Sequence, residues 1–343
     1  MRVWALALGS WLTTVASAAS GYGYDSPITT PCHETMTANA LRDARAKWPN
    51  AIPVETTAED RLILDDLVFT VPPDLQDIGA TTLLIGVRDH DLKGESGIDT
   101  QELAALHGDD DSQAEHCLRR AEHDEPGGSA AAVTECRELV RELTYAAIDA
   151  GLNGEGRIDG SRRQTVAVHL AFRRRTELSL PIFHLRLGQA LHTLQDSFSH
   201  SFRTPDHRRI TVALNWVDQV TGDLDESRDG PGHMRALDIC LKLDELRQGR
   251  LDAAREATSA LVAAVFDHGS DKAAKKRAVD DVLARYMAFE PGCSFDNGWC
   301  AAPERDYADD ACTCQAPGGP GRDGAGSWLG AALLLMGIVR RRG

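Results

Sequence analysis

Residues 182–202, IFHLRLGQALHTLQDSFSHSF, decide how the rest of the chain is read. At ~3.6 residues per turn, Leu187, Leu191, Leu194 and Phe198 share one apolar side, and His192, Asp196 and His200 recur every fourth position along a neighbouring stripe. The spacing predicts an amphipathic helix with a chemical face. With a rise of ~1.5 Å per residue, His192 and His200 stand ~12 Å apart along the axis, too far to share an ion whose ligands sit ~2 Å from it. A metal centre on this helix therefore favours more than one ion, with the Asp196 carboxylate as a bridge between two of them. Gly188 lies on the same stripe one turn before His192; glycine inside a helix costs ~1 kcal/mol relative to Ala and marks a place of close approach.

Taken alone, His-x-x-x-Asp is the pattern of a surface pair or of a buried imidazole held by a carboxylate. The third member and further ligands beside other predicted helix ends point to metal. His33 opens HETMTANALRDARAKW. Asp89, His90 and Asp91 stand where the apolar run 78–87 gives way to a polar loop. His116 lies in SQAEHCLRR, which starts with Ser112 and Glu115 at capping-box spacing, and His233 opens GHMRALDICLKLDELRQG. Each has an ordinary reading as a helix-terminal or solvated residue. Together they put one His or carboxylate at the ends of several helices, as a site inside a bundle requires.

Residues 1–19, MRVWALALGSWLTTVASAA, combine Arg2, an apolar run and small residues suited to signal-peptidase cleavage, so the mature protein is expected to be exported. Helical patterns follow near 33–48, 57–69, 74–88, 112–122, 129–150, 161–176, 182–202, 233–247, 251–267 and 270–287. Strand patterns are scarce and aromatics make up 6% of the chain. The expected fold is all-α, a single multi-helix domain over residues 20–290 around a buried multinuclear metal site.

The formal net charge is −15, from 52 acidic against 37 basic residues. No basic patch interleaved with aromatics appears in the body, which disfavours binding nucleic acid through broad phosphate neutralisation. A phosphodiester substrate is compatible with this charge, since bound dications supply local positive charge. Eight cysteines in an exported chain read first as disulfides, with Cys32–Cys240, Cys117–Cys136 and Cys293–Cys300 as plausible pairs. Such bridges would pin the helix ends from which ligands project.

LGQALHTLQDSFSHSF resembles the signature of the zinc-dependent phospholipase C and single-strand nuclease superfamily, in a form closest to its HET-C-like branch. Outlying stretches resemble it too: His33 to Leu41, the Gly86-to-Asp91 segment GVRDHD, and Glu115-His116-Cys117. The resemblance implies an all-α domain holding three zinc ions. Asp91, His116, His192 and Asp196 would hold one; His33, Asp196 and the mature N-terminal amine a second; His200, His233 and a carboxylate the third. Asp91 would also orient or deprotonate the attacking water. Two features depart from the family. The motif's last histidine follows the first by eight positions rather than ten, and four positions after His233 stands Leu237, so that the nearest acid, Asp238, falls off the expected helix face. The activity implied is hydrolysis of a phospholipid or another phosphodiester. A catalytically silent metal-stabilised binding protein and a single-strand nuclease are the alternatives.

Residues 291–324 are rich in Pro, Gly, Asp and Cys and read as an exposed tether. Residues 325–343 follow as a short apolar run ending in Arg340, Arg341 and Arg342. This tail resembles a MYXO-CTERM sorting segment, which implies a sorting protease acting near Cys314 and attachment at the cell surface. A plain membrane anchor with the body exported gives the same topology.

Overall fold

A computed structural model describes residues 22–26, 29–48, 54–267 and 269–310. The expected signal peptide and sorting tail lie outside the described residues. In chain order the elements are α1 (Cys32–Lys47), α2 (Ala58–Leu64), α3 (Ile78–Leu92), α4 (Thr100–His107), α5 (Gly128–Gly151), β1 (Arg163–Leu170), β2 (Arg174–Pro181), α6 (Ile182–Ser199), β3 (Ser201–Arg203), β4 (Arg209–Ala213), α7 (Val217–Thr221), α8 (Glu226–Asp229), α9 (Glu245–Phe266), α10 (Lys272–Tyr286) and β5 (Ala288–Phe289). The protein is mostly helical but not purely so, because it carries two small sheets, β1-β2 and β3-β4-β5.

Helix α6 is the axis. It packs against α3, α5, α9 and α1, and Leu187, Leu191, Leu194 and Phe198 are completely buried among them. Its chemical stripe is buried as well, so the helix is enclosed on all sides rather than half-exposed. Gly188 is where α6 crosses α3. A Cβ there would stand 2.4 Å from the Leu83 carbonyl oxygen and 2.8 Å from the Cα of Gly86, itself a glycine. The two glycines let the backbones approach closely, and this brings the last turn of α3 alongside His192.

The helix expected over 161–176 is a hairpin. β1 and β2 pair antiparallel from Arg163↔Pro181 to Leu170↔Arg174. Val168, Leu170, Leu178 and Leu180 alternate along the strands and bury one face against Ile63, Ile78 and Ile85. The period of two and the β-branched Thr165, Val166, Val168 and Thr176 suit a half-buried ribbon better than a helix. The expected helix at 112–122 is a tight 3-10 turn, Asp110–His116, and most of 233–247 is irregular around a 3-10 turn at Arg235–Leu237. α4 was not anticipated, although Asp99 caps it by accepting from the Glu102 amide.

All three expected disulfides are present, with Cα–Cα separations of 5.9 Å for Cys32–Cys240, 5.1 Å for Cys117–Cys136 and 4.9 Å for Cys293–Cys300. They fit an oxidising compartment. Residues beyond 290 do not all leave the body. Trp299 is buried, and Glu304 is fully enclosed, paired with Arg250 at 2.5 Å. No described helix is long and apolar enough to cross a membrane.

Candidate metal centre

Five chain segments deliver the site. α6 presents His192 and Asp196 one turn apart, with His200 as the residue that ends the helix. α1 starts at Cys32 and places His33 in its first turn. Asp91 lies in the last turn of α3, so the stretch read as a polar loop is helical and its carboxylate faces inward, wholly buried. His116 closes the 3-10 turn, where Cys117 is tied to Cys136 of α5. His233 is held by its amide, which donates to the Asn215 carbonyl at 3.1 Å.

The side chains meet around Asp196. Its Oδ1 is 3.2 Å from His33 Nε2, and its Oδ2 is 3.0 Å from both His116 Nδ1 and His192 Nε2. Asp91 Oδ1 stands 3.9 Å from each of the last two nitrogens. Further along α6, Asp238 lies 3.2 Å from His233 Nε2 and 3.7 Å from His200 Nε2. Three groups emerge, His33/His192/Asp196, Asp91/His116/His192 and His200/His233/Asp238, each with ligand atoms within 4.8 Å of one another. Ligands ~2 Å from a tetrahedral ion stand ~3.3 Å apart, so these spacings suit metal ions. All eight residues singled out from the sequence come together, and Asp196 belongs with His33 as well as with His116 and His192, as a bridge would.

Asp238 reaches the site because 233–247 is not a continuous helix. After the turn at Arg235–Leu237 the chain bends, which removes the phase problem a helix would have imposed. The Cys32–Cys240 bridge then ties this segment to the start of α1, one residue from His33.

Hydrogen bonds behind the ligands set their tautomers. His192 Nδ1 donates to the Val87 carbonyl at 2.9 Å, and His200 Nδ1 to the His116 carbonyl at 2.6 Å. His33 Nδ1 is 2.7 Å from Gln195 Oε1, while the amide of Gln195 donates to Thr37 and Thr258. A carbonyl only accepts, so each Nδ1 carries its hydrogen, and on a neutral ring Nε2 turns a lone pair toward a carboxylate. Such an arrangement is repulsive until positive charge enters between the atoms.

Protons do not supply all of that charge. Burial holds His116 and His233 down to about 4 and lowers His200, leaving them neutral. His192 and His107 move the other way: burial opposes their charging, but nearby carboxylates outweigh it, Asp196 and Asp91 raising His192 to about 10 and Asp91 raising His107. Burial pushes Asp238 far above the carboxylate range. Several buried atoms, among them His33 Nε2, Asp91 Oδ2, Asp196 Oδ1, His200 Nε2, His233 Nε2 and Asp238 Oδ1, have no hydrogen-bond partner among the described residues. Neutral imidazoles and carboxylates with unpartnered inward atoms are what metal ions require, and the donor set contains no thiolate.

His107 was not foreseen. It closes α4, donates from Nδ1 to the Leu103 carbonyl at 2.7 Å, sets Nε2 3.2 Å from Asp91 Oδ1, and stacks on His116 with ring centroids 4.9 Å apart. Its clue was the Asp99-x-x-Glu102 start signal, which predicts a helix that ends on it. Tyr22, the first described residue, is buried with its ring 6.2 Å from that of His33. The mature N-terminal amine implied as a ligand lies outside the described residues.

The chain matches no family model, no curated protein and no solved structure.

Proposed function

We propose that the chain is an exported zinc-dependent hydrolase of phosphodiesters, with a phospholipid as its substrate, tethered at the cell surface by its C-terminal segment. The observation that carries this reading is the ligand count. With His192 counted once, since its Nδ1 is taken by the Val87 carbonyl, His33 and Asp196 would hold one ion and His200, His233 and Asp238 another, both short of the four ligands of a closed tetrahedral zinc, which leaves a position for water or substrate, as catalytic sites do. Bound zinc would supply Lewis acidity and a water with its pKa lowered to ~7.

The chain's own residues have separable roles. His33, His116, His192 and Asp196, with Asp91, would hold the inner ions; His200, His233 and Asp238 would hold the outer one. Asp91 has one oxygen steadied by His107 and the other unpartnered, so it is placed to orient a water or accept its proton. The positive charge gathered here would offset the mismatch between an acidic protein and an anionic diester.

One observation favours a second reading, a metal-stabilised protein without catalysis. The ligands are nearly all fully buried, and a cavity of about 890 Å³ between the start of α2 and the β1-β2 hairpin is lined by none of them. Closed sites are the structural kind. A panel of choline and ethanolamine phospholipids, a chromogenic diester and single-stranded DNA separates the readings, run on wild type and Asp91→Asn at matched zinc content. Diester turnover lost in Asp91→Asn supports the hydrolase. A fully zinc-loaded protein that turns over no diester supports the silent alternative.

A further inference from the structure

The tip of the β1-β2 hairpin is built in a way the metal centre does not explain. Phe172 is 86% exposed, the most exposed large apolar side chain described, and Leu62 of α2 beside it is 59% exposed. Neither is left loose. The buried Asp66 accepts the Phe172 amide at 2.8 Å through its carboxylate and the Ala171 amide at 2.8 Å through its carbonyl, and it pairs with Arg173 at 3.0 Å. Arg173 in turn donates to the Leu62 carbonyl at 2.8 Å. The backbone is fixed while the ring is held out in water.

Arginines flank both apolar residues in sequence. Arg173, Arg174 and Arg175 follow it in sequence, all exposed, and Arg61 precedes Leu62. Arg173 is paired with Asp66 and Arg175 with Glu95, whereas the guanidinium groups of Arg61 and Arg174 make no ion pair among the described residues. In a chain of net charge −15, two guanidinium groups without an ion pair among the described residues stand within two positions of these exposed apolar side chains.

We propose that this tip docks on an anionic phospholipid surface, with Phe172 and Leu62 entering the boundary between headgroups and acyl chains while Arg61 and Arg174 meet lipid phosphates. Charge complementarity selects the occupant: an acidic molecule is repelled by an anionic bilayer everywhere except at such a spot, so the spot sets the orientation. Size selects it as well. Two apolar side chains, one on the hairpin turn and one on α2, fall far short of the ~800 Å² that a stable protein interface buries on each partner, but an exposed ring with arginines next to it in sequence suits shallow interfacial insertion. The proposal stands apart from the reaction at the metal centre, since none of these residues touches a ligand.

The test is sedimentation of the full mature chain with vesicles of phosphatidylcholine alone or with roughly a third phosphatidylglycerol, at low and high salt. Wild type is expected to partition onto the anionic vesicles at least about tenfold better than onto the neutral ones, with the difference shrinking in salt. Phe172→Ser and the pair Arg61→Gln with Arg174→Gln should each lower that partition about tenfold. Zinc content and turnover of a soluble diester should be unchanged, so failure of the docking and failure of the chemistry give different results. Partition that is equal in wild type and both variants assigns any binding to other parts of the chain and overturns the proposal, as does equal binding to neutral vesicles. Capture of a protein partner that Phe172→Ser abolishes, without vesicle binding, overturns it too.

Discussion

Two acidic groups in this molecule meet the same electrostatic problem with different partners. Around Asp91, Asp196 and Asp238, every ion pair among the described residues is made with an imidazole. Around Asp124, Asp218 and Asp229, permanent cations do part of the work: Arg228 grips Asp229 and the buried Arg119 lies within reach of all three charges, while the neutral Asn215 amide donates to Asp218 at 2.5 Å. Both groups have metal-like spacing. Closeness of carboxylates is therefore a weak sign of an ion, whereas carboxylates facing imidazoles with unpartnered atoms are a strong one. Arginine cannot leave to make room for a metal. A proton on histidine can.

The largest expected effect comes from Asp196→Asn. Asp196 touches both inner groups, and a neutral amide bridges ions poorly, so this variant should lose both inner ions on dialysis while His200→Ala loses only the outer one. Metal stoichiometry is the readout, and equal retention in the two variants would break the bridging role. Next is Asp238→Asn, which should empty the outer site and leave the inner pair. A smaller change is expected from His107→Ala, which touches a ligand without being one: affinity at the Asp91 site should fall about 10- to 100-fold, with partial rescue by Gln, measured by competition with a chelating dye.

The control group gives the smallest effect and carries a pH sign. Burial, then the charges of Asp218 and Asp229, raises Asp124 from the usual 3.8 to about 6. A raised acid holds its proton longer in the folded state than in the unfolded one, so folding stability falls as pH rises from about 3.8 through about 6. Asp218→Asn relieves part of that repulsion. It should stabilise the protein by no more than ~1 kcal/mol above pH 6, since the group is largely solvent-screened, and not at all below about 3.8. Denaturant titrations at both pH values test it, and bound metal should not change.

What was legible in the sequence follows from the range of each interaction. The i, i+4, i+8 stripe of α6 is local, so His192, Asp196 and His200 could be placed on one helix and Asp196 read as a bridge. Cysteines beside His33, His116 and Asp238 pointed to bridges that hold ligands, and the two pairs they make, Cys32–Cys240 and Cys117–Cys136, formed, as did Cys293–Cys300. The hairpin was misread because RQTVAVHL supports two periodicities, and only the buried wall of Ile63, Ile78 and Ile85 selects the strand. Asp238 looked misplaced because an irregular turn was read as a helix. His107 escaped because its partner, Asp91, lies 16 residues away in a segment read as loop.

The central claim is that imidazoles and carboxylates around α6 hold metal ions. Elemental analysis of the purified protein, repeated after chelation with the fold followed by circular dichroism, is the direct test. The account predicts more than one zinc ion per chain, and loss of structure or of thermal stability when they are removed. Protein that is metal-free as isolated and stays fully folded and equally stable in chelator would contradict it.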